Sequence, residues 1–258
     1  MFLFFKKHKF SNFTFFIIIL YLFIFTLSNE LLYSQQRDRF VFTQLKYSGD
    51  WDPYPYVYYD ILNFLTLTTS IKALPERRIV TLNDKLLFSS PFIIMLNNGK
   101  FNGFNNEEKI LLVKFLYNGG TIFIEDSSGI KYSEFDIKIK KELEEIFPDK
   151  KLQKLPKLHP VFKSFYLLKG INGRKIVNNY LEGIEIQGRT AIIYSQNDIF
   201  GAWVRDKFGN YVYECIPGGQ QQRFEAQKLT LNLIVFSLTG TYKSDFIHQL
   251  FIEEKLKR

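Results

Sequence analysis

Two strongly apolar segments flank an amphipathic segment that carries start and stop signals for a helix. Residues 91–97 (PFIIMLN) and 121–126 (TIFIED) are almost uninterrupted apolar runs, which are typical of strands covered on both faces. Between them, Asn105 and Glu108 have the spacing of a capping box, and Gly119 follows the apolar helix body. A strand, a helix and a second strand joined by short connections predict a parallel sheet with right-handed crossovers.

The same alternation continues along the chain. The residue patterns predict further strands at 39–47, 77–82 and 189–198, and further helices at 56–70, 134–147 and 224–240. The segment 151–187 is expected to be an irregular excursion or a small hairpin layer, and 200–217 a hairpin or long loop. The sequence therefore predicts an α/β fold, in which a mostly parallel sheet lies between two layers of helices as a three-layer sandwich.

The N-terminal segment has the pattern of an export signal. Basic residues at positions 6–9 precede an almost unbroken apolar run, residues 13–27. Ser28 or Ser34 would supply the small residue before a cleavage point. Extending the run to residues 10–32 would instead make it long enough for an uncleaved membrane anchor. In either case we expect the domain that follows to lie outside the cytoplasm, either periplasmic or anchored in the membrane.

These patterns divide the chain into three parts. Residues 1–35 are a signal peptide or an N-terminal membrane anchor, residues 36–240 form one α/β domain, and residues 241–258 are a polar C-terminal extension.

Charge and cysteine content narrow the classes of partner. The formal net charge is +8, but the lysines of residues 138–145 alternate with glutamates, which indicates a solvated helix face. Together with the export signal, this argues against a nucleic-acid partner. The single Cys215 rules out an internal disulfide and a cysteine metal cluster. Because no histidine is close in sequence, Cys215 is predicted to be a buried thiol and not a nucleophile.

The candidate site follows from the predicted sheet. In an open α/β sheet, ligands bind outside the carboxyl ends of the strands, and four predicted strands here end in short polar sequences: SGDWD, NNG, EDSSG and SQND. These loops are expected to converge on one rim and to line a common cleft through Asp50, Asp52, Asn97, Asn98, Glu125, Asp126, Ser127, Ser128, Asn197 and Asp198. Trp51 and Trp203 are candidate aromatic walls. Arg223, at the opening of the last helix, would clamp an anion or pair with a carboxylate.

Each of these segments also has a structural interpretation. In SGDWDP, Asp50 and Asp52 can accept backbone N–H bonds while proline fixes the bend. EDSSG can cap the segment that follows it, Asn97 and Asn98 before a glycine form a natural turn, and Trp51 can serve as a packing lid.

Five ordered segments carry a resemblance to a known family: LKYSGDWDPYP, PFIIMLNNGKF with LYNGGTIFIEDSSG, FPDKKLQKLPKLHPVFKSFY, GRTAIIYSQND and EAQKLTLNLIVFSLTG. They resemble the bacterial family catalogued as domain of unknown function 4159, over roughly residues 39–239. That family is similar to the class I glutamine-amidotransferase-like domains, so the resemblance implies a flavodoxin-like sheet.

The wider resemblance also implies where a nucleophile would lie. In amidotransferase-like domains, the strand corresponding to residues 121–125 leads into a tight turn with a nucleophilic cysteine, assisted by a distant histidine. This chain has Asp126, Ser127 and Ser128 there. Ser127 could replace the thiol, but it would need a neighbouring base, and no histidine is well placed by sequence order. Amidotransferase activity is therefore not expected.

Three functions remain open. The first is a non-catalytic envelope domain whose rim binds a carbohydrate or peptide ligand. The second is a hydrolase in which Asp50, Asp52, Glu125 or Asp126 act as acid and base. The third is a structural module that binds an envelope protein. No cofactor or metal site is assigned, although the same carboxylates could hold Mg²⁺ or Ca²⁺. The sequence favours the first and third functions because it contains no complete catalytic constellation.

Overall fold

The computed structural model describes Tyr21 and residues 39–240. Apart from Tyr21, the predicted signal or anchor segment lies outside the described residues, and so does the predicted C-terminal extension. Among the described residues, no helix has both the length and the apolar character that crossing a membrane requires.

Strands and helices alternate within residues 39–240. The strands are β1 (Phe40–Leu45), β2 (Ala73–Val80), β3 (Phe92–Asn97), β4 (Thr121–Asp126), β5 (Gln153–Lys154), β6 (Glu182–Ile186) and β7 (Arg189–Ser195). The α-helices are α1 (Val57–Thr68), α2 (Asn106–Tyr117), α3 (Glu134–Ile146) and α4 (Gly219–Thr239). Three short 3₁₀ turns lie at Lys85–Ser89, Pro160–Phe162 and Phe200–Trp203.

The strands form one seven-stranded sheet in the order β2-β1-β3-β4-β7-β6-β5. The pairs β1/β3, β3/β4 and β4/β7 are parallel, whereas β6/β7 and β5/β6 are antiparallel. In the central pair, Asn97 is opposite Asp126, so β3 and β4 end side by side. The predicted three-layer, mostly parallel, flavodoxin-like fold is confirmed.

Helices cover both faces of the sheet. On one face, Phe115 of α2 and Ile139 of α3 pack in a buried cluster with Met95 and Ile124 of the sheet. On the other face lie α1, α4 and the turn that contains Phe200, whose ring is 5.8 Å from that of Phe123 on β4. Successive strand residues point to opposite faces, so both faces of β3 and β4 are buried, as their apolar sequences predicted.

The helix predicted from the capping box forms as expected. The Asn105 side chain accepts a bond from the Glu108 backbone N–H, and the Glu108 carboxylate accepts one from the Asn105 N–H. A second capped helix follows β4: the Ser133 hydroxyl accepts a bond from the Asp136 N–H at the start of α3. These caps satisfy N–H groups that a helix start leaves without partners.

The boundaries differ from the prediction in three places. Strand β2 begins at Ala73, before Pro75, which an edge strand tolerates. Helix α4 begins at Gly219, five residues before the predicted start at Phe224. Gln222 and Arg223 in this first turn are buried, but because they are polar they do not extend the apolar pattern of the helix. The predicted excursion contributes β5 and β6, which extend the sheet beyond β7 in antiparallel pairing.

Candidate functional site

The loops after β1 and β3 lie at the point where the strand order reverses, which is the usual ligand crevice of such a sheet. Here the two loops bind each other. The Asp50 N–H donates to the Lys100 carbonyl at 2.7 Å, and the Lys100 N–H donates to Asp50 Oδ2 at 2.7 Å. Gly49 is bridged to Phe101 at a positive φ, and a side chain there would collide with the Lys100 carbonyl. Asp50 therefore holds one loop against the other.

Asp52 and Trp51 also have internal partners. Asp52 Oδ1 pairs with the Arg77 guanidinium at 2.5 Å and accepts a bond from Gln44. The half-buried Trp51 ring has the Arg77 guanidinium 5.9 Å and the Lys46 ammonium 5.8 Å from its centre. These contacts favour the interpretation of Trp51 as a packing lid and of Asp52 as a structural ion-pair partner.

A pocket opens beside these loops at the carboxyl ends of β3 and β4, and its size falls within the range of about 300–1,000 Å³ that is usual for small-ligand sites. We call it the carboxyl-edge pocket, and its volume is about 570 Å³. It is lined by Asn97, Asn98, Gly99, Lys100, Asp126, Ser128, Ile130, Ser133, Glu134 and Phe135. Four of the predicted site residues therefore meet there: Asn97, Asn98, Asp126 and Ser128.

The lining residues are of two kinds. Asn97 and Asp126 are buried and bonded internally: Asn97 donates to the Tyr47 hydroxyl at 2.8 Å, and Asp126 Oδ2 accepts from the Ser133 hydroxyl at 2.5 Å. Asp126 Oδ1 also accepts the Ser128 N–H at 3.0 Å. Asn98, by contrast, is exposed. The buried residues shape the pocket wall, and the exposed ones are available to a ligand.

Glu125 points to the opposite face of the sheet. Its side chain is fully buried, and its two oxygens accept the backbone N–H groups of Ile199 at 2.6 Å and Phe200 at 2.9 Å. Burial, and next the neighbouring Asp198 carboxylate, raise the pKa of Glu125 well above its usual value.

Asp198 lies beside Glu125 and is also fully buried. It pairs with the Arg174 guanidinium and accepts bonds from the Tyr54 hydroxyl at 2.9 Å and the Gly201 N–H at 3.0 Å. Burial raises the pKa of Asp198, and Arg174 opposes that rise. We call Glu125, Asp198, Arg174 and Tyr54 the buried carboxylate cluster.

The expected common cleft is therefore divided by the sheet itself. Glu125 and Asp126 are consecutive on β4, so their side chains point to opposite faces. Asp126 reaches the carboxyl-edge pocket, whereas Glu125 and Asp198 belong to the buried carboxylate cluster. These carboxylates lie at the same edge of the sheet, but they do not line one common cleft.

Three other predicted site residues are structural in this fold. Asn197 is buried; its Oδ1 accepts the Val177 and Asn178 N–H groups, each at 2.9 Å, and its Nδ2 donates to the Asn178 carbonyl. Trp203, predicted as an aromatic wall, is buried and donates to Thr230 of α4 at 2.9 Å. These residues tie loops to the core.

Arg223 is a third case. It is buried, donates to the carbonyls of Ala202 at 2.7 Å and Tyr213 at 2.5 Å, and lies with its guanidinium carbon 3.8 Å from the centre of the Tyr211 ring. Its Nε donates to the Gln220 side-chain oxygen at 3.3 Å, and the expected anion or carboxylate is not among these contacts.

The family is decided by a comparison with known sequences. The model of the family described as domain of unknown function (DUF4159) matches residues 41–238, which include every described strand and helix apart from the ends of β1 and α4. The chain belongs to the DUF4159 family. No curated protein matches it. The finer resemblance to glutamine-amidotransferase-like domains stays a prediction.

The resemblance to amidotransferase-like domains implied a nucleophile in the turn after β4 of this DUF4159 domain, where Ser127 lies. Ser127 is buried, and its hydroxyl has no hydrogen-bond partner among the described residues. His159, the one histidine among the described residues, bonds instead to Thr190 of β7 at 2.9 Å. Among the described residues, no three His, Cys, Asp or Glu side chains are grouped so that they could hold a metal ion.

Burial of His159 makes stability depend on pH. Burial, and then Lys163, lower the pKa of His159 from 6.5 to about 4, so folding favours the neutral ring. The contribution of the neutral His159 ring to the free energy of unfolding is complete above pH 6.5 and is lost as the pH falls towards 4. Between pH 7.5 and pH 5 the expected loss is about 2 kcal/mol in the free energy of unfolding.

Urea unfolding of the wild-type chain and of His159→Gln at both pH values checks this prediction. The stability difference between the two proteins should shrink by that amount at the lower pH, since all other titrating groups are common to both. A difference that stays constant with pH would show that His159 is not held neutral.

The sequence analysis did not predict several residues of the site. Arg174 and Tyr54 lie in segments without a regular pattern, so nothing marked them as partners of Asp198. Ser133 had a usable signal, because a serine three residues before Asp136 is a helix-start pattern. That pattern places the start of α3 directly beside Asp126.

Proposed function

We propose that this DUF4159 domain is a non-catalytic binding module that holds a small polar ligand, a carbohydrate or a short peptide, in the carboxyl-edge pocket. One observation carries the proposal. The carboxylates that could act as acid or base are engaged with internal partners, whereas exposed amide, ammonium and carboxylate groups line the pocket mouth. A site arranged in this way suits recognition better than proton transfer.

The chemistry of the pocket mouth supports a ligand with both donors and acceptors. Asn98 offers an amide, Lys100 an ammonium group and Glu134 a carboxylate, and all three residues are exposed. Ile130 is 58% exposed and adds an apolar contact at the same mouth. Mixed charge with an apolar neighbour favours sugar hydroxyl groups or a peptide backbone over a strongly charged ion.

The hydrolase alternative is weaker on the same geometry. Glu125 and Asp198 have the raised pKa values that acid catalysis uses, but both side chains are fully buried and bonded to backbone N–H groups. Asp50 and Asp52 lie in the loop after β1 and are bound to Lys100 and Arg77. Of the four carboxylates proposed for acid and base catalysis, only Asp126 lines the carboxyl-edge pocket, and its oxygens are bound to the Ser133 hydroxyl and the Ser128 N–H. A hydrolase of this type requires two such groups that face one substrate.

We also propose that the protein is exported and works in the cell envelope, either free or anchored in the membrane by its N-terminal segment. The basic residues at 6–9 and the apolar run 13–27 support this proposal. A carbohydrate or peptide of the envelope, or an envelope protein that presents one, would then be the natural partner.

A ligand screen tests the proposed site. The thermal unfolding midpoint of the full chain is measured with muropeptides, oligosaccharides and divalent cations. We expect a muropeptide or oligosaccharide to raise it, because a ligand at 100 times its Kd stabilises the native state by about 2.7 kcal/mol. Asn98→Ala should weaken that ligand about five- to tenfold, since it removes one or two hydrogen bonds to it.

Asn83→Ala is the matched control. Asn83 is an exposed asparagine in the turn after β2, outside the carboxyl-edge pocket, and its replacement should leave the affinity unchanged. If the ligand binds Asn98→Ala as tightly as it binds the wild-type chain, the pocket is not the site. If only divalent cations stabilise the chain, the site is a metal site and the proposal is wrong.

A further inference from the structure

A second pocket lies in the segment between α3 and β6. Its volume is about 360 Å³, at the small end of the range of about 300–1,000 Å³ for small-molecule sites. Its floor consists of Phe162, Leu168 and Ile171, which are buried, and Leu155 and Pro156 add apolar wall. An apolar floor of this kind accepts a hydrocarbon group and not a polar ligand.

Three lysines surround this floor. Lys154, Lys157 and Lys169 line the pocket and are exposed, and none of them forms an ion pair with another described residue. The Lys154 ammonium lies 4.0 Å from the centre of the Tyr180 ring, which fixes its position at the rim. We call the site the lysine-rimmed pocket.

The surrounding sequence strengthens the positive field. Residues 150–181 contain no aspartate or glutamate, and their basic residues are Lys150, Lys151, Lys154, Lys157, Lys163, Lys169, Arg174 and Lys175. A run of cations without intervening acids differs from the alternating charges of α3, where Lys140 pairs with Asp136. The lysine-rimmed pocket therefore attracts anions. The carboxylate of Glu182, which is opposite Lys154 in the β5/β6 pair, is bound to Lys140.

We propose that the lysine-rimmed pocket binds a free medium-chain carboxylate, with the hydrocarbon chain on the apolar floor and the carboxylate at the lysines. The floor requires a hydrocarbon part, and the rim requires a negative head, so neither a sugar nor a neutral alkane satisfies both. The small volume admits one short chain, which favours a free acid over a lipid embedded in a bilayer. This site shares no residue with the carboxyl-edge pocket and does not depend on the proposed function.

The test is a calorimetric titration of the full chain at pH 7.5 with hexanoate, octanoate, decanoate and decanol. We expect affinity to increase about fourfold for each methylene group, the equivalent of the usual transfer free energy. Decanol, which has the same chain without the charge, should bind about tenfold more weakly than decanoate. Added salt should weaken decanoate binding and leave decanol binding unchanged.

Charge reversal at the rim supplies the specific control. The double variant Lys157→Glu, Lys169→Glu should bind decanoate at least about tenfold more weakly, because two attractive charges become repulsive. The double variant Lys72→Glu, Lys85→Glu makes the same charge change at exposed lysines outside the pocket and should bind within twofold of wild type. Circular dichroism establishes that each variant is folded.

Several results would overturn the proposal. These are equal affinity for decanol and decanoate, no dependence on chain length, or equal loss of binding in both double variants. Vesicles of anionic phospholipid form a separate arm: a chain that binds the vesicles but not decanoate recognises a membrane surface, and the proposed ligand is then wrong. If the rim variant fails to fold, the salt dependence of the wild-type chain still decides between a charged and an uncharged mode of binding.

Discussion

Arg174→Met is expected to lower the free energy of unfolding by about 3–5 kcal/mol, the usual effect of removing one partner of a buried ion pair. Asp198 is fully buried, and Arg174 is its cationic partner. Without the guanidinium, Asp198 is left as a buried carboxylate beside Glu125, whose own pKa is raised by burial and next by that neighbour. The ion pair is needed because two carboxylates share one buried space.

The loss should also depend on pH. In the variant, the folded-state pKa of Asp198 rises further above its unfolded value, so the folded protein takes up a proton more readily. A carboxyl group whose pKa is higher in the folded state than in the unfolded state makes the protein less stable as the pH increases. The destabilisation by Arg174→Met should therefore be smaller at pH 5 than at pH 7.5.

Arg205→Met is the matched control for this experiment. Arg205 pairs with Asp60 at 3.6 Å, and the two side chains are 39% and 34% exposed. Arg205 also donates to the Gly209 carbonyl and the Tyr211 hydroxyl, and these bonds are exposed as well. An exposed ion pair contributes about 0–1 kcal/mol, so the same substitution should cost less than Arg174→Met. Urea unfolding of the three proteins at both pH values gives the answer. Equal losses for the two variants would contradict the structural role of the Arg174–Asp198 pair.

Asn197→Ala is expected to cost about 2–4 kcal/mol, because it leaves backbone groups of a partly buried segment without partners. The Asn197 side chain accepts the N–H groups of Val177 and Asn178 and donates to the Asn178 carbonyl at 2.7 Å. It thereby fixes the chain ahead of β6 to the end of β7. The sequence predicted that Asn197 binds a ligand, whereas in the structure its side chain binds the backbone of residues 177 and 178.

Asn98→Ala provides the comparison, because Asn98 is an exposed asparagine at the carboxyl-edge pocket. Its replacement should change the free energy of unfolding by less than about 0.5 kcal/mol, as surface substitutions usually do. Denaturant unfolding of both variants tests the distinction. A stable Asn197→Ala protein that loses ligand affinity would reverse the assignment of the two asparagines.

The sheet could be predicted because its signals are local. The apolar runs of β3 and β4 and the Asn105–Glu108 capping box depend on residues close in sequence, and each formed as expected. The antiparallel end of the sheet was harder to foresee. β5 is only two residues long, and β6 is five residues long with a glycine at its second position, which weakens a strand pattern.

The site was predictable in position but not in grouping. The carboxyl ends of parallel strands locate the polar loops at one edge, and Asn97 and Asp126 do lie there side by side. Glu125 and Asp126 point to opposite faces because side chains alternate along a strand. The prediction of one common cleft did not take this alternation into account. The partners of Asp198 come from distant, irregular segments, so only the folded chain could reveal them.

One measurement tests the central claim, that the carboxyl-edge pocket binds and does not catalyse. The ligand found in the thermal screen is incubated with the full chain, and mass spectrometry follows both the complex and the free ligand. The account predicts a complex whose ligand is recovered with its mass unchanged. Cleavage products that form with the wild-type chain and disappear with Asp126→Asn or Glu125→Gln would contradict it.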